Sequence, residues 1–275
     1  MSLLEVSNLS KSFGSGRNWW GRPQKGPAAV SDVSFTLAAG ECLAVVGESG
    51  AGKSTVGRIV LRLIEPDTGS ITFDGVDVRA AGPAALRRMR RGMQMIFQDP
   101  HSCLNPRMTI AEAVAEPLLV HTHLARNARE KAVRELLDKV GIGSRYLVRY
   151  PAELSGGQLQ RVAIARALTL NPKMIVCDEP VAALDVSVRA QVLNLLRDLQ
   201  DELGLAYLFI GHDLALIEVI ADRVLVMAGG RVVESGVVAE VFTNPREQYT
   251  RMLLDAIPVP VPRSARVGAH DGSST

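Results

Sequence analysis

The sequence has few cysteines and no long apolar run, and both absences exclude classes of protein. Three cysteines, Cys42, Cys103 and Cys177, are spread over 275 residues, which argues against a disulfide framework or a cysteine-bound metal cluster. No apolar segment approaches the roughly 18 residues that a membrane-spanning helix needs. The first residues lack the charged and apolar regions of a signal peptide. We therefore expect a protein that stays in the cytoplasm.

The chain also lacks a marked excess of one charge. It has 31 basic and 29 acidic residues and a formal charge of +2, so bulk binding to nucleic acid is not expected. The densest basic run, residues 87–91, is interpreted as the solvated face of a helix. Hydrophobic residues make up 47% of the chain and charged residues 22%, the balance of an ordinary globular protein.

A glycine-rich segment is the strongest motif that is present. It fits the G-x-x-x-x-G-K-[ST] pattern of phosphate-binding loops. The apolar run at residues 42–46 predicts a buried strand before it, and residues 56–64 predict an amphipathic helix after it. The candidate nucleotide contacts in this phosphate loop are Gly47, Glu48, Ser49, Gly50, Ala51, Gly52, Lys53, Ser54 and Thr55.

Strand, glycine loop and helix together make a phosphate site. Backbone N–H groups close around phosphate oxygens, and the helix N-terminus adds its partial positive charge. Lys53 is expected to reach the β- and γ-phosphates, and the Ser54 hydroxyl to ligate Mg²⁺. The alternative, a glycine-rich turn with a chance lysine, is disfavoured by the flanking strand and helix.

Residues 173–179 form an apolar run that ends in two carboxylates. Side chains alternate along a strand, so consecutive acids at its end serve different roles. Asp178 is predicted to hold Mg²⁺, directly or through water, and Glu179 to polarise an attacking water. Such a run is common and often structural when it stands alone, whereas after a phosphate loop it indicates hydrolysis.

Residues 154–158, Leu-Ser-Gly-Gly-Gln, precede a helix predicted over 159–170. We call them the signature loop. Their backbone N–H groups offer a second anion site, and the alternative is a helix that Ser155 simply caps. The chain therefore has two helix N-termini that could bind phosphate but one phosphate-loop lysine, Lys53. This arrangement fits a site that two chains form together, head to tail.

These motifs, in this order, resemble the nucleotide-binding subunit of an ATP-binding cassette (ABC) transporter. The resemblance covers about residues 3–260 and includes Gln98, the signature loop and His212. It implies an α/β fold with a P-loop ATPase core built on a parallel sheet, an antiparallel β region and an inserted helical subdomain near 99–164.

The resemblance also implies roles for individual residues. Phe13 resembles the aromatic that stacks on adenine, with an ordinary core Phe as the alternative. Gln98 resembles the glutamine that senses metal and γ-phosphate, and His212 resembles the switch histidine that orients the catalytic Glu179, although a lone His there is ordinarily a polar loop residue. Asp185 resembles the aspartate that communicates between the two sites. The signature-loop residues implied to bind nucleotide are Ser155, Gly156, Gly157 and Gln158.

Two positions depart from the family's pattern. Ala182 and Gly211 stand where Ser or Thr is usual. Neither change removes a catalytic group, so hydrolysis is still expected.

A narrower resemblance points to the dipeptide and oligopeptide importer ATPases. It rests on residues 97–109 and 244–260, and on a long loop at 14–27 that resembles the second ATPase of those systems. Some of those relatives carry an iron–sulfur cluster, but no cysteine follows Cys177, so none is expected here.

The chain is therefore divided into a cassette at 1–260, a peptide-importer-type extension at 236–262 and a disordered tail at 263–275. Strands are predicted at 3–13, 30–46, 70–73, 93–97, 173–177, 206–210, 223–227 and 231–234. Helices are predicted at 128–140, 159–170 and 187–203.

The implied activity is hydrolysis of ATP, with Mg²⁺, to drive import of dipeptides or oligopeptides. The implied partners are permease subunits, a second ATPase that is a copy or a paralogue, and indirectly an extracytoplasmic solute-binding protein, with no nucleic acid. The implied location is peripheral, at the cytoplasmic face of the inner membrane. Open alternatives are import of nickel, glutathione or another small solute, a cassette ATPase acting on ribosomes or DNA, and an assembly factor of a soluble multienzyme complex.

Overall fold

The structure, a computed structural model, describes residues 2–17 and 23–256. Its strands are β1 (Ser2–Arg17), β2 (Pro23–Ala38), β3 (Cys42–Val46), β4 (Thr68–Phe73), β5 (Val76–Asp77), β6 (Met93–Ile96), β7 (Met174–Asp178), β8 (Ala206–Ile210), β9 (Arg223–Ala228) and β10 (Arg231–Val237). Its α-helices are α1 (Lys53–Val60), α2 (Pro83–Gly92), α3 (Pro100–Cys103), α4 (Ile110–His121), α5 (Arg126–Lys139), α6 (Gly156–Leu168), α7 (Val186–Leu203), α8 (Leu214–Ile220), α9 (Val238–Thr243) and α10 (Gln248–Asp255).

A six-stranded sheet forms the centre of the fold, in the order β10-β9-β3-β8-β7-β6. Strands β9, β3, β8, β7 and β6 run parallel, and β10 pairs antiparallel with β9. Every residue of β3, β7 and β8 is buried, as expected for parallel strands covered on both faces. The α/β fold and the parallel sheet predicted from the sequence are therefore confirmed.

Two hydrophobic clusters cover the two faces of this sheet, and β3 shows why. Cys42, Ala44 and Val46 belong to one cluster, whereas Leu43 and Val45 belong to the other, because successive strand side chains point to opposite faces. Burial raises the pKa of the Cys42 thiol well above its ordinary value, which is the behaviour of a core cysteine.

A second, antiparallel sheet has the order β2-β1-β4-β5 and corrects the prediction of a loop at 14–27. Strand β1 continues to Arg17 and β2 begins at Pro23, with Gly14 paired to Lys25 and Arg17 paired to Pro23. Glycine and proline weaken a strand's propensity, but pairing between two chain segments overrides that preference, and Pro is tolerated as the first residue of a strand. The adjacent Trp19 and Trp20 lie outside the described residues.

Two further turns divide the strands. The predicted strand at 30–46 is broken by a turn at 39–40, where Gly40 has a φ of 74°. The hairpin predicted between β9 and β10 is confirmed, since Gly229 and Gly230 have φ values of 53° and 82°, the left-handed conformation that tight hairpins require.

Between β6 and β7 the chain forms only helices and turns. Helix α6 packs against α3, α4, α5 and α7 and against β6. Helix α6 begins at Gly156, earlier than predicted, because Ser155 supplies its N-cap. Where the domain boundaries fall stays a prediction.

The basic run on α2 was predicted to be a solvated helix face, but two of its arginines bind backbone carbonyls of neighbouring segments. Arg90 donates to the carbonyl oxygens of Leu61 and Arg62, and Arg87 donates to that of Val120. Guanidinium groups carry several donors in a fixed fork, so they can bind backbone carbonyls at the ends of neighbouring elements.

Gly69 and Gly75, with φ values of 97° and 77°, allow a matched test of packing in the antiparallel sheet. A Cβ at Gly69 would lie 2.7 Å from backbone atoms of Ser7, Asn8 and Leu9, whereas one at Gly75 would meet nothing within 4 Å. Both changes to alanine strain the backbone, but Gly69→Ala adds overpacking. We expect it to lower the free energy of unfolding by about 1–3 kcal/mol more than Gly75→Ala, measured by urea titration; equal losses would contradict this packing.

Candidate functional site

The phosphate loop follows β3 at the carboxyl edge of the parallel sheet and runs into α1. Gly47 and Gly52 have φ values of 145° and 96°. A Cβ on Gly47 would overlap the carbonyl oxygen of Met227, and one on Gly52 that of Ala29. Only glycine fits at these two positions, which explains why the motif requires it.

Lys53, the first residue of α1, is 5% exposed. Its Nζ donates to the carbonyl oxygens of Gly47 at 2.8 Å and Glu48 at 2.9 Å. Burial lowers the pKa of its ammonium, while Glu179 and Asp178 act in the opposite direction. The lysine side chain thus folds back onto its own loop, where it would contact a phosphate bound by the loop.

Ser54 and Asp178 meet beneath the loop. The Ser54 hydroxyl donates to Oδ1 of Asp178 at 2.6 Å, and Asp178 is 3% exposed. The guanidinium of Arg58 lies 3.6 Å from the other carboxylate oxygen. The sequence analysis missed Arg58, although its i, i+4 spacing from Ser54 would have placed both on one helix face.

The oxygen atoms gathered here suit Mg²⁺. Ser54 offers a hydroxyl and Asp178 a carboxylate, and the amide of Gln98 lies beside the neighbouring Glu179. Hard cations prefer such oxygen ligands. Within the described parts of the chain, no group of three or more His, Cys, Asp and Glu residues could hold a metal ion. Ser54 and Asp178 would leave the other positions of such an ion to phosphate oxygens and water.

Residues that follow three neighbouring strands lie close together at Glu179. Its Oε2 accepts a hydrogen bond from Nε2 of Gln98 at 3.1 Å and lies 3.3 Å from Nδ1 of His212. Gln98 follows β6, Glu179 follows β7 and His212 follows β8. Because parallel strands end at the same edge, three residues far apart in sequence converge on one carboxylate.

The backbone at Glu179 is strained. Its φ is 48°, in the left-handed region that non-glycine residues rarely occupy, and its N–H donates to the carbonyl oxygen of Ile210 at 3.0 Å. This turn aims Glu179 away from Asp178, although the two are consecutive. Conformations of this kind concentrate at functional sites.

Phe13 is 47% exposed, so the core alternative is wrong. The ammonium of Lys11 lies 5.9 Å from the centre of its ring, within range of a cation–π contact. An exposed aromatic face on β1 suits stacking against a base; that role stays a prediction.

The signature loop caps α6 and exposes Ser155 and Gly156, whereas Leu154 is buried. The Ser155 hydroxyl accepts from the N–H of Gln158 at 3.4 Å, and Oε1 of Gln158 accepts from the N–H of Ser155 at 3.0 Å. This capping box is the alternative that the sequence left open. A Cβ on Gly157 would collide with Val188, so the loop's backbone lies close against α7.

Asp185 is exposed at the start of α7 and makes no side-chain cap there. Arg189 supports the same turn by donating to the carbonyl oxygens of Leu184 at 2.7 Å and Ala182 at 3.3 Å. That support was not foreseen. It holds the turn through backbone atoms, so it does not depend on a hydroxyl at position 182.

The structure thus brings one set of predicted residues together and leaves another apart. Lys53, Ser54, Asp178 and Glu179, with Gln98 and His212, form one cluster at the sheet edge. In the described residues, no recorded hydrogen bond or ion pair joins the signature loop or Asp185 to that cluster.

Comparisons with known proteins agree with this geometry. Residues 30–182 match the family model described as "ABC transporter". The chain is 50% identical over 260 residues to the glutathione import ATP-binding protein GsiA of Pectobacterium atrosepticum, covering 94% of this chain but 42% of that protein. It is 48% identical to the oligopeptide transport ATP-binding protein OppF of Escherichia coli, covering 94% of this chain and 79% of that protein. The chain therefore spans less than half of the first relative's length and most of the second's.

A further relative is the probable peptide ABC transporter ATP-binding protein y4tS of Sinorhizobium fredii, which is 48% identical and is matched over 97% of this chain and 75% of its own length. Among solved structures, the ATP-binding cassette MJ0796, described as a dimer in a post-hydrolysis state with ADP and Pi, superposes with a TM-score of 0.76 at 29% identity. The match covers 86% of this chain and 98% of that one. The chain therefore belongs to the ABC transporter family, as one of its ATP-binding cassettes.

Proposed function

We propose that this chain binds ATP with Mg²⁺ and hydrolyses it to power a membrane importer of dipeptides or oligopeptides. The observation that carries the proposal is the convergence of Gln98 and His212 on Glu179, beside a phosphate loop with an inward-folded Lys53. This is the set of groups that phosphoryl transfer to water requires: positioning, charge stabilisation and a base.

In the proposed reaction Glu179 accepts a proton from the attacking water while Gln98 and His212 hold its carboxylate in place. Lys53 leaves the loop carbonyls, to which its Nζ is bonded here, and binds the transferring phosphate. When bound, Mg²⁺ would supply charge neutralisation to the phosphate groups. Ser54, Asp178 and Gln98 are the residues that would hold it.

The complete site is proposed to need two cassettes, head to tail. Ser155 and Gly156 of the signature loop are exposed, so they are accessible to a second cassette. The dimeric form named for the cassette MJ0796 supports this arrangement. The partner is either a second copy or a paralogous ATPase.

Ser155→Arg tests this arrangement. The larger, charged side chain should block the second cassette's γ-phosphate, so we expect turnover to fall by about 10²-fold or more. Nucleotide affinity of the monomer, measured by calorimetry, should stay within about twofold, because Lys53 and its loop are untouched. Ser70→Arg, at an exposed position on β4, is the matched control and should keep its turnover.

Mixing two inactive variants gives a sharper result. In a dimer of Lys53→Ala with Ser155→Arg, one site carries both defects and the other carries neither. Random mixing should therefore restore about a quarter of the normal rate, since half of the dimers are mixed and each has one intact site. Dimers that sediment normally but regain no activity would contradict the head-to-tail arrangement.

The transported solute is proposed from the relatives, because a cassette acts on ATP and need not touch the solute. The names of the OppF and y4tS proteins specify oligopeptides and peptides, and that of GsiA specifies glutathione, itself a small peptide. Peptide-type solutes are common to all three, so they are favoured over nickel chelates.

The proposed partners are permease subunits, with a solute-binding protein on the other side of the membrane, and the proposed location is the cytoplasmic face of the inner membrane. Within residues 2–17 and 23–256, no helix has the length and apolarity needed to cross a bilayer. We expect the helices that follow Gln98 to receive the permease, since Gln98 would then link that surface to the γ-phosphate.

The test is uptake by vesicles reconstituted with this chain, its permease subunits and the solute-binding protein. Peptide uptake should require ATP and should disappear when Lys53→Ala replaces the normal chain. Copurification with ribosomes or with a soluble enzyme complex, and no uptake with any permease, would overturn the transport function.

A further inference from the structure

Tyr249, on the C-terminal helix α10, contacts the phosphate loop directly. Its hydroxyl oxygen accepts a hydrogen bond of 3.1 Å from the backbone N–H of Glu48, which lies 201 residues earlier in the chain. The motifs that define the nucleotide site do not include this tyrosine.

The bond reaches the part of the loop that has least support. Gly47 and Gly52 are held by close backbone contacts at the two ends of the loop, whereas residues 48–50 are exposed. In the described residues, the bond to Tyr249 is the one recorded hydrogen bond between residues 48–50 and a residue outside the loop. Tyr249 is therefore placed to restrict the movement of the exposed residues 48–50.

The same peptide unit also bonds to Lys53. The Gly47–Glu48 peptide donates through its N–H to Tyr249 and accepts, through the carbonyl oxygen of Gly47, a hydrogen bond of 2.8 Å from Nζ of Lys53. A peptide unit is planar, so fixing its N–H also fixes the direction of its carbonyl. Glycine allows that plane to rotate freely, which makes an external anchor useful here.

Tyr249 is itself firmly held. Its ring packs against the larger hydrophobic cluster, and the next residue, Thr250, is 2% exposed. The Glu234 carboxylate accepts from the N–H groups of Arg246 and Glu247 at 2.8 and 3.2 Å, which fixes the start of α10. Partial burial raises the pKa of Glu234, but these two N–H groups and the charge of Arg246 act in the opposite direction, and the net effect is a lowered pKa.

We propose that Tyr249 is a positioning residue of the nucleotide site, which holds the Gly47–Glu48 peptide plane and so prepares the loop and Lys53 for phosphate. This inference rests on the proposed ATPase function. It makes α10 part of the nucleotide site's support, in addition to being part of the C-terminal extension.

Tyr249→Phe is the first test, because it removes one oxygen and keeps the packed ring. We expect the dissociation constant and the KM for ATP to rise about three- to tenfold, the worth of one hydrogen bond. Turnover at saturating ATP should change less than about twofold, since Tyr249 touches no reacting atom. Gln248→Ala, on the exposed side of the same helix, should change neither quantity.

A second test removes the donor instead of the acceptor. Glu48→Pro lacks the backbone N–H, so it should weaken ATP binding at least as much as Tyr249→Phe does. The double variant Tyr249→Phe with Glu48→Pro should bind ATP no more weakly than the worse single variant, because both remove one bond. Additive losses would overturn the proposal.

Hydrogen exchange of the Glu48 amide, measured by NMR without nucleotide, separates this inference from the ATPase function. Tyr249→Phe should speed that exchange while the amides of Val45 and Val46 in β3 exchange as before. Unchanged exchange and unchanged ATP affinity in Tyr249→Phe would refute the positioning role, even if the chain proves to be an ATPase. Faster exchange in a chain that does not bind ATP would refute the ATPase function and leave the contact established.

Discussion

Glu179→Gln should lower the turnover number for ATP by about 10²–10⁴-fold, the usual contribution of a general base. Glutamine keeps the size of the side chain and can still face Gln98 and His212, which lie 3.1 and 3.3 Å from Oε2 in the normal protein. It cannot accept a proton from water. Steady-state phosphate release measures the change.

Binding of ATP should survive this substitution, because Lys53 and the phosphate loop remain intact. The variant should therefore accumulate as a closed dimer with ATP bound, detected by size-exclusion chromatography with and without nucleotide. Glu218→Gln, at an exposed position on α8, makes the same change of charge and should hydrolyse ATP normally. Turnover close to normal in Glu179→Gln would rule out its role as the base.

Lys53→Ala is expected to have the other large effect, a fall in kcat/KM for ATP of about 10²–10³-fold or more. Lys53 is 5% exposed, and charge interactions are stronger at buried positions than in bulk water. Its removal also leaves the carbonyl oxygen of Gly47 without the Lys53 donor, while that of Glu48 keeps its bond from the N–H of Ala51.

The control for this variant is Lys131→Ala, on the exposed surface of α5, where Lys131 lies 3.7 Å from Glu135. An exposed pair of this kind contributes little, so both stability and kcat/KM should stay near normal. A thermal unfolding transition establishes that Lys53→Ala is folded. If folded Lys53→Ala kept its kcat/KM, the phosphate loop would not be the nucleotide site.

The sequence was sufficient to predict the cluster at the sheet edge for a physical reason. Each of its residues follows a short apolar run, and parallel strands place their carboxyl ends along one edge. The family resemblance implied that His212 acts on Glu179, and the strands predicted at 173–177 and 206–210 explain why the two residues lie at one edge. Buried parallel strands have a strong apolar signal, so their existence was predicted correctly.

The parts that the sequence did not predict depend on partners far away in the chain. The ribbon that extends β1 to Arg17 forms because β2 pairs with it, and its glycine and proline content predicted a loop. Tyr249 contacts Glu48 across 201 residues, a distance over which no periodicity or spacing carries information. Arg58 is different, since helical spacing alone would have placed it beside Ser54.

The roles of the signature loop and of Asp185 stay predictions, because they concern a second cassette. A single chain places Ser155 as a helix cap with a satisfied capping box. That arrangement is compatible with a nucleotide contact, since the N–H groups at a helix N-terminus attract anions whether or not the cap is formed.

The most direct test of the central claim is the rate of ATP hydrolysis per chain, measured over a range of protein concentrations and compared with sedimentation velocity on the same samples. A composite site predicts that the rate per chain rises in proportion to the fraction of dimer and falls toward zero on dilution. A constant rate per chain in samples that sediment entirely as monomer would contradict the claim that two cassettes form the site.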